Sequence, residues 1–381
     1  MRVTMKLVFV SNFFNHHQQP ISEALSRLPG VEYHFIATML MPVEQKKLGY
    51  HMVELPGYVC SAWRSQEEQA RAMELLAAAD VVIAGSAPES MIRFCIRQNK
   101  LVFRYSERPL KKGLEIWRYP DRFLRWQWRN PFWKPIYMLC ASAHTAPDYR
   151  KFGLFKNKTY QWGYFPEAKR YPDVDALIAA KDPTEILWCG RFLKLKHPDD
   201  ALAVARKLKL EGYRFHMKFI GAGVMEEQLK RQIQEYHMED CVSLPGTISS
   251  DKVREHMEKA GIYLFTSDRQ EGWGAVLNES MNSGCAVIAS HTIGSVPYLL
   301  EDGQNGMVYE SGNVEMLCEK VKFLLDRPDE QKRMGLAAYR TIAELWNAEI
   351  AAERFVKLAE QLLSGDSLTV RFTSGPCSRA D

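Results

Sequence analysis

Glu271-Gly-Trp-Gly-Ala-Val-Leu-Asn-Glu279-Ser-Met-Asn-Ser-Gly284-Cys-Ala-Val-Ile-Ala-Ser290 combines two glutamates, a pair of glycines between them and a following apolar run. Gly272 and Gly274 predict a loop whose backbone a ligand can approach, and Ala275–Asn282 predicts a helix that Gly284 ends. A helix that begins on such a loop directs free N–H groups and the positive end of its dipole at the loop. The stretch therefore predicts a loop, a helix and a buried strand, with a site suited to a phosphate or a polyhydroxylated ligand.

The same alternation of strand and helix extends in both directions from this stretch. It predicts an α/β fold in which helices cover both faces of parallel sheets. A proline-containing segment, Tyr164–Pro183, interrupts the alternation and predicts a linker between two doubly wound halves. In such halves ligands bind outside the carboxyl ends of the strands. Strand candidates are Lys6–Ser11, Tyr33–Ala37, Val81–Ala84, Leu101–Tyr105 and Tyr137–Ser142, then Glu185–Cys189, His216–Ile220, Cys241–Leu244, Ile262–Thr266 and Ala286–Ala289.

Composition narrows the class of protein. The chain has 381 residues and a net charge of +4, and no apolar run is long enough for a membrane-spanning helix. The N-terminus reads as a first strand and not as a signal peptide, so we expect a cytoplasmic protein. The eight cysteines are scattered without a C-x-x-C pair, which predicts buried thiols with neither disulfides nor a metal site.

Cations follow the strand candidate Glu185–Cys189. Arg191 and Lys196 lie in the segment Gly190-Arg-Phe-Leu-Lys-Leu-Lys-His-Pro198, at the carboxyl end of that strand. A guanidinium fork and a compact ammonium on one loop suit a diphosphate, although a solvated basic loop is the alternative. The later segment Gly221-Ala-Gly223 lacks the third glycine of a dinucleotide fingerprint, since position 226 is Glu. It predicts a tight strand-to-helix turn near a nucleotide and disfavours a nicotinamide dehydrogenase.

In combination and in order, these motifs resemble those of the retaining, nucleotide-sugar-dependent glycosyltransferases of the GT-B fold. The resemblance is to the large bacterial group called family four, or glycosyl transferases group 1. It is close from Glu185 to Tyr309 and loose elsewhere. The matching residues are Gly190-Arg191 with Lys196, Gly221-x-Gly223, Leu244-Pro-Gly246, Ser267 before Glu271, Glu279-Ser-Met-x-x-Gly284-x-Ala-Val-Ile-Ala, Gly294 and Asp302-Gly-x-Asn305-Gly306.

The resemblance implies a role for each matching residue. Arg191 and Lys196 would bind the donor diphosphate, Glu271 the hydroxyls of the donor sugar, and Glu279 the hydroxyls of the ribose. It also implies a UDP-linked sugar as donor and electrostatic catalysis that requires no metal and no cofactor. Gly246 and Thr247 would lie near the base, and the N–H groups of Trp273, Gly274, Ala275 and Val276 would bind phosphate or sugar.

The resemblance further implies two Rossmann-like domains that face each other across a cleft. We expect an acceptor-binding domain over residues 1–165 and a nucleotide-sugar-binding domain over 166–345. A helix over 346–365 would cross back to the first domain, followed by a flexible tail over 366–381. The acceptor would be a glycan or a lipid-linked saccharide in surface polysaccharide biosynthesis.

The N-terminal half departs from the family pattern. Its first loop, Asn12–Pro20, has no glycine, and the histidine that many relatives carry after a later strand is absent. His17 is a candidate to face the donor or acceptor, although a solvent-exposed or helix-capping histidine is an equal alternative. Glu107 and Arg108 are candidate acceptor-side or catalytic replacements.

Aromatic and basic residues alternate over Leu114–Lys134, which contains four tryptophans. Residues 1–170 carry 25 Lys and Arg against 14 Asp and Glu, a net charge of +11, whereas residues 171–381 carry −7. The excess favours peripheral contact with an anionic membrane surface at the inner face of the cell membrane. The same residues could also stack on sugars, bind nucleic acid or form a packed aromatic loop. Among these partners we favour the membrane and expect no nucleic acid.

Two other functions fit the same motifs. One is a nucleotide-sugar epimerase or hydrolase of the same fold, and the other is a non-catalytic scaffold subunit that binds a sugar nucleotide. Glu271 and both loop cations are present, which argues against a non-catalytic site.

Overall fold

The computed structural model describes residues 4–42, 55–114, 119–365 and 372–380. The chain divides into two compact units. Unit 1 comprises Met1–Glu167 and Trp346–Asp381, and unit 2 comprises Ala168–Leu345. Among the helices of the described ranges, none has both the length and the apolar character needed to span a bilayer.

The described part of unit 1 is built on a seven-stranded parallel sheet. Its strands are β1 (Met5–Ser11), β2 (Val31–Ala37), β3 (Val59–Ser61), β4 (Val81–Ala84), β5 (Leu101–Ser106), β6 (Ile136–Cys140) and β7 (Thr159–Gln161). Its helices are α1 (Gln19–Arg27), α2 (Gln66–Ala78), α3 (Glu89–Arg97), α4 (Tyr119–Arg129), α5 (Thr145–Arg150) and, from the C-terminal part of the chain, α14 (Ala348–Ser364). The strand order is β3-β2-β1-β4-β5-β6-β7.

The order of this sheet follows from the apolar strands. Leu7, Val8, Phe9 and Val10 of β1 are all buried, as expected for a strand covered on both faces. β1 pairs with β2 on one side and with β4 on the other, so the chain reverses its direction of winding between β1 and β4. The loops that follow β1 and β4 therefore flank a topological switch point, where ligands bind in open α/β sheets.

The C-terminal helix of unit 1 begins later than the sequence predicts. Thr341–Leu345 forms a π-helical turn in unit 2, and α14 starts at Ala348, where the Asn347 side chain accepts a hydrogen bond from the N–H of Ile350 at 2.9 Å. Phe355 of α14 packs edge-on against Phe103 of β5, with 4.9 Å between ring centroids. This contact fixes α14 on the unit 1 sheet.

Residues 372–380 differ from the predicted flexible tail. The Ser378 carbonyl accepts a hydrogen bond from the N–H of Gln161 in β7, and the Cys377 N–H donates to the Gln161 carbonyl, both at 2.8 Å. The Cys377 side chain is buried, and Arg379 forms an antiparallel backbone β-bridge with Tyr160. The segment therefore pairs with the edge strand β7 and satisfies backbone N–H and C=O groups of that strand. The composition of the segment does not reveal this pairing. Residues 366–371 and 381 lie outside the described ranges.

The described part of unit 2 is built on a six-stranded parallel sheet. Its strands are β8 (Asp182–Cys189), β9 (His216–Ile220), β10 (Val242–Gly246), β11 (Ala260–Phe265), β12 (Ala286–Ser290) and β13 (Met307–Tyr309). Its helices are α6 (Val174–Ala179), α7 (Pro198–Leu210), α8 (Glu226–Glu235), α9 (Ser250–Lys259), α10 (Val276–Asn282), α11 (Val296–Leu299), α12 (Val314–Leu325) and α13 (Pro328–Arg340), with a 3₁₀ turn at Lys194–Lys196.

The strand order β10-β9-β8-β11-β12-β13 places the switch point of unit 2 between β8 and β11. Ile186 and Leu187 of β8 pair with Ile262 and Tyr263 of β11, although more than 70 residues separate the two strands. The loops that follow β8 and β11 consequently meet at one edge of the sheet. The two parallel sheets confirm the predicted α/β class with two doubly wound halves.

Candidate active site

Thr266 joins the two loops at the switch point of unit 2. Its buried hydroxyl accepts a hydrogen bond from the indole N–H of Trp188 at 2.9 Å. The same hydroxyl donates a hydrogen bond to the Lys196 carbonyl at 2.7 Å. The backbone N–H of Asp268 donates to the Leu195 carbonyl at 2.9 Å. These bonds fix the loop after β8 against the loop after β11. The sequence does not predict this role of Thr266, because a threonine that ends an apolar strand carries no distinguishing pattern.

The joined loops bring Lys196 and Glu271 together. The Lys196 ammonium forms an ion pair with the Glu271 carboxylate, whose Oε2 also accepts a hydrogen bond from the Ser267 hydroxyl at 3.1 Å. The two side chains are only 16% and 14% exposed. In contrast, the Arg191 guanidinium is exposed and forms no ion pair with any residue of the described ranges. The site thus holds one cation on a carboxylate and presents a second cation to solvent.

Two glycines allow the Arg191 loop to pack against the loop after β9. A Cβ on Gly221 would lie 2.0 Å from the Gly190 carbonyl oxygen, and a Cβ on Gly223 would lie 2.6 Å from the Phe192 carbonyl oxygen. Both glycines also have positive φ, at 139° and 159°. Gly221-x-Gly223 therefore serves backbone contact between two loops.

The helix α10 begins as the opening stretch of sequence predicts, one residue later. Its backbone bonding starts with the Leu277 N–H donating to the Gly274 carbonyl at 3.0 Å, so the N–H groups of Ala275 and Val276 precede the helical ladder. Gly274 has φ of +79°, and a Cβ there would lie 2.3 Å from the Phe265 ring. This position therefore requires glycine for both conformation and space.

Trp273 can contribute to a ligand site only through its backbone. Its side chain is fully buried, and its indole N–H donates to the Asn278 side chain at 2.8 Å. Its carbonyl accepts a hydrogen bond from the Ser295 hydroxyl at 2.6 Å. The ring thus anchors the loop before α10 to the body of unit 2.

Glu279 lies one turn inside α10, half-buried beside the ends of β8 and β11. Burial raises the pKa of its carboxyl, and the Arg254 charge opposes this shift. Its negative charge in turn helps burial to raise the pKa of Cys189 to about 12. No side chain of the described ranges forms a hydrogen bond or ion pair with this carboxylate. It is therefore available to a ligand that carries hydroxyl donors.

Gly246 and Thr247 lie at the end of β10, on the other side of β9 from the Arg191 loop. The Gly246 carbonyl accepts a hydrogen bond from the Gly221 N–H at 2.9 Å, and Thr247 is exposed. Three strand spacings separate β10 from β11, which is about 14 Å along the sheet edge. The predicted unit 2 residues therefore follow one edge, as an elongated ligand requires.

One group of side chains in the described ranges has the spacing of metal ligands. His197, Asp199 and Asp200 place ligand atoms within 4.8 Å of one another at the start of α7. The positive end of a helix dipole stabilises carboxylates at this position without any cation. The helix start accounts for the cluster.

A family comparison agrees with this geometry. Residues 173–341 match the family model described as glycosyl transferases group 1. The matched range contains Arg191, Lys196, Glu271 and Glu279. Most of unit 2 is therefore similar to glycosyl transferases group 1.

Curated relatives align mainly over about half of the chain or less. The amylovoran biosynthesis glycosyltransferase AmsK of Erwinia amylovora is 29% identical over 189 residues, which cover 48% of this chain and 46% of AmsK. The putative colanic acid biosynthesis glycosyltransferase WcaL of Escherichia coli is 28% identical over 148 residues, covering 38% of this chain and 36% of WcaL. In both alignments the chain spans less than half the length of the relative.

Solved structures resemble the chain over nearly its full length. HepE of Anabaena in complex with UDP has a TM-score of 0.67 and 13% identity, covering 94% of this chain and 100% of that one. Sucrose-phosphate synthase from Thermosynechococcus elongatus has a TM-score of 0.66 and 15% identity, covering 95% and 100%. These likenesses establish the GT-B fold.

Outside the group 1 domain, His17 lies on the loop after β1, at the switch point of unit 1. Its backbone N–H donates to the Asn15 side chain at 2.8 Å, and its ring stacks on Tyr164 with 6.2 Å between centroids. Burial, assisted by His16, lowers the pKa of His17 to about 3. His17 and Tyr164 line a pocket of about 70 Å³ together with Tyr105. His17 is therefore a neutral, half-buried ring.

Tyr164 connects His17 to Glu107. Its hydroxyl donates to Glu107 Oε1 at 2.7 Å, while Lys111 forms an ion pair with Oε2 of the same carboxylate. The two N-terminal candidates thus belong to one cluster. Tyr164 lies in the predicted linker, and the sequence does not predict its role in this cluster. The signal it offers is the short aromatic run Trp162-Gly-Tyr-Phe165.

Arg108 forms an ion pair within unit 1. Its guanidinium contacts the carboxylate of Asp148 at 3.3 Å, and the Asp148 side chain is only 2% exposed. The same carboxylate accepts a hydrogen bond from the Leu110 N–H at 3.1 Å. Arg108 therefore neutralises a buried anion that fixes the loop after β5.

Proposed function

We propose that the protein is a retaining glycosyltransferase that moves a sugar from a UDP-linked nucleotide-diphosphate sugar to a glycan or lipid-linked saccharide. The observation that carries this proposal is the contact between Lys196 and Glu271 at the switch point of unit 2, beside the exposed Arg191. The names of AmsK and WcaL support a role in surface polysaccharide biosynthesis. HepE was solved with UDP and with UDP-glucose, which supports a UDP-linked donor.

Donor binding requires an exchange at Lys196. In the structure the Lys196 ammonium contacts Glu271, whereas a donor offers it the oxygens of a diphosphate. Glu271 then becomes available to accept hydrogen bonds from the donor sugar hydroxyls. Arg191 and the free N–H groups at the start of α10 would complete the set of positive partners for the diphosphate. Glu279 would accept hydrogen bonds from the ribose hydroxyls.

The proposed chemistry is electrostatic. The bond between the anomeric carbon and the phosphate oxygen breaks, and Arg191 and Lys196 stabilise the negative charge of the departing diphosphate. A bond forms between the acceptor oxygen and the anomeric carbon on the same face. The acceptor proton passes to the departing phosphate oxygen. In this proposal Glu271 and Glu279 bind hydroxyls and do not act as the acid and nucleophile of a glycosidase.

Acceptor dependence separates this proposal from its alternatives. We expect UDP release from a panel of UDP-sugars to require a saccharide acceptor, with the α or β configuration of the donor kept in the product. Release without an acceptor would indicate a hydrolase, and a changed sugar on recovered UDP would indicate an epimerase. UDP binding without any turnover would indicate a scaffold subunit. Proton NMR of the anomeric signal is the measurement of retention.

Metal independence is a second test of the same chemistry. Two fixed cations and a helix dipole supply the positive charge that a divalent ion supplies in other transferases, so we expect EDTA to leave transfer unchanged. If EDTA abolishes transfer and Mn²⁺ restores it, the electrostatic proposal is wrong. His197, Asp199 and Asp200 would then be the first residues to substitute.

A further inference from the structure

Helix α4 and the segment after it present large apolar side chains to solvent. Leu124 is 69% exposed, Trp128 58%, Phe132 77% and Trp133 70%. Leu124 and Trp128 are four residues apart, so they lie on the same side of the helix. We call these four side chains the aromatic face. Of the predicted segment Leu114–Lys134, residues 115–118 lie outside the described ranges.

The opposite side of α4 is packed against unit 1. The ring centroid of Phe152 lies 4.5 Å from that of Trp126 and 4.9 Å from that of Tyr119. The Gln127 side chain donates a hydrogen bond to the Phe152 carbonyl at 2.7 Å. These contacts orient the helix, so the exposure of Leu124 and Trp128 is a fixed property of the fold.

The segment that carries Phe132 and Trp133 is also held in place. The Lys158 ammonium donates to the Phe132 carbonyl at 2.8 Å and to the Lys134 carbonyl at 2.9 Å. The two exposed rings meet edge-on, with 5.1 Å between their centroids. An ordered backbone presents these rings outward, and ordering them on a surface costs less entropy than ordering a flexible loop.

Helix α3 joins the two parts of the aromatic face. Arg93 of α3 lies over the Trp128 ring at 3.5 Å, and Asn99, just after α3, contacts the Lys134 ammonium. Six residues of mostly helical chain separate Arg93 from Asn99, which is about 9 Å. Trp128 and the Phe132–Lys134 segment therefore lie side by side.

The surroundings of the aromatic face are basic. Residues 89–97 and 119–134 contain six cations against two acids. The cations are Arg93, Arg97, Arg122, Arg125, Arg129 and Lys134. Tryptophan and phenylalanine flanked by arginine and lysine suit the boundary between headgroups and acyl chains of an anionic bilayer. A second copy of the chain fits poorly, since a symmetric contact would oppose two basic surfaces.

We propose that the aromatic face is a membrane-docking surface that inserts Leu124, Trp128, Phe132 and Trp133 into the interfacial region of an anionic phospholipid bilayer. The surrounding cations contact the lipid phosphates. Docking of this kind would hold the protein where a lipid-linked acceptor is found. The surface itself does not depend on the proposed transfer reaction.

Sedimentation with vesicles tests the proposal without donor or acceptor. We expect vesicles of equimolar phosphatidylcholine and phosphatidylglycerol to retain the full chain at low salt. Pure phosphatidylcholine should retain far less, and high salt should release the protein from the mixed vesicles. The double variant Phe132→Ala/Trp133→Ala should bind at least about tenfold more weakly. Arg125→Glu should lose about fivefold for each unit of charge changed.

Trp63→Ala is the matched control. Trp63 is also an exposed tryptophan of unit 1, but it follows β3, four strand spacings from β5 and roughly 20 Å along the sheet. We expect this variant to bind vesicles like the wild type. Thermal unfolding of each variant shows whether the fold is kept. Arg125→Glu changes charge at an exposed position, so it tests the charge contribution without removing apolar packing.

Three results would overturn the proposal. The first is equal retention by neutral and anionic vesicles, and the second is no retention by either. The third is a wild-type dimer, found by light scattering, that Phe132→Ala/Trp133→Ala converts to a monomer, because the face would then be an interface between copies. A transferase assay has no part in any of these results, so failure here leaves the proposed reaction to its own test.

Discussion

Lys196 and Glu271 of unit 2 lie on loops that follow adjacent strands, whereas His17 and Glu107 of unit 1 are connected through Tyr164. In unit 2, β8 and β11 are neighbours, so Lys196 and Glu271 are brought together by the sheet order itself. In unit 1, the loops after β1 and β5 carry His17 and Glu107, and Tyr164 comes from beyond β7. A contact between neighbouring strand ends is specified by topology, but a contact through a third element depends on tertiary packing.

The two clusters also differ in charge. Unit 2 combines an exposed cation, an ion pair and a half-buried carboxylate, which is the set that an anionic, hydroxyl-bearing ligand requires. Unit 1 combines a neutral histidine with a tyrosine and an ion-paired glutamate. We therefore expect donor chemistry to fail when unit 2 is altered, and acceptor use to change when unit 1 is altered.

The largest expected effect is that of Lys196→Ala. In the proposed reaction Lys196 stabilises the departing diphosphate, so its removal should lower kcat/KM for transfer by about 10² to 10³, or roughly 2.7–4 kcal/mol. Glu271→Gln should have an effect of similar size. The measurement is UDP release in the presence of acceptor.

Lys194→Ala is the control for Lys196→Ala. Lys194 lies on the same 3₁₀ turn but is exposed. We expect transfer by this variant to stay within about twofold of wild type, because surface charges contribute little. Equal losses in both variants would mean that the turn acts only through its overall charge.

Glu279→Gln should have a smaller effect, confined to donor affinity. An amide accepts hydrogen bonds from ribose hydroxyls less strongly than a carboxylate, so we expect donor KM to rise about tenfold with kcat nearly unchanged. Because burial raises the pKa of Glu279, the wild type should lose donor affinity on acidification sooner than an ordinary glutamate would allow. The variant should not show this loss.

Glu255→Gln provides the comparison for Glu279→Gln, since Glu255 is an exposed glutamate of α9 in the same unit. Isothermal titration with UDP as a function of pH is the measurement. A Glu279→Gln variant that binds UDP like the wild type would remove this residue from the donor site.

Local chemistry explains which parts of the site the sequence predicts. Gly274 must be glycine because of its positive φ and its contact with Phe265. A few neighbouring residues are therefore enough to predict where α10 begins. Thr266 acts through a tertiary contact with Trp188, nearly 80 residues away, and no local pattern records that contact. The pairing of residues 372–380 with β7 is missed for the same reason, since composition describes a segment but not the sheet edge it covers.

Tyr164→Phe tests whether the unit 1 cluster serves the acceptor. The change removes the hydrogen bond to Glu107 and keeps the ring that stacks on His17. A typical intramolecular hydrogen bond contributes about 0.5–1.5 kcal/mol, so we expect acceptor KM to rise roughly two- to tenfold. UDP affinity should stay at the wild-type value. Tyr137→Phe, on β6 of the same unit, is the control, and a change in UDP affinity would contradict the division of roles between the units.

The smallest effect is expected for His17→Gln and concerns stability. The folded chain keeps the ring neutral down to about pH 3, whereas in the unfolded chain it takes up a proton near its ordinary pKa of 6.5. The unfolded state therefore binds more protons between these two values, and the wild type loses stability as pH falls below about 6.5.

His17→Gln removes the group that takes up this proton in the unfolded chain. The fall in the free energy of unfolding from about pH 8 to about pH 5 should therefore be smaller in the variant by about 1–2 kcal/mol. Urea unfolding at both pH values measures the difference. If His17→Gln keeps the wild-type fall, the ring is charged in the folded protein and unit 1 resembles unit 2 in presenting a cation.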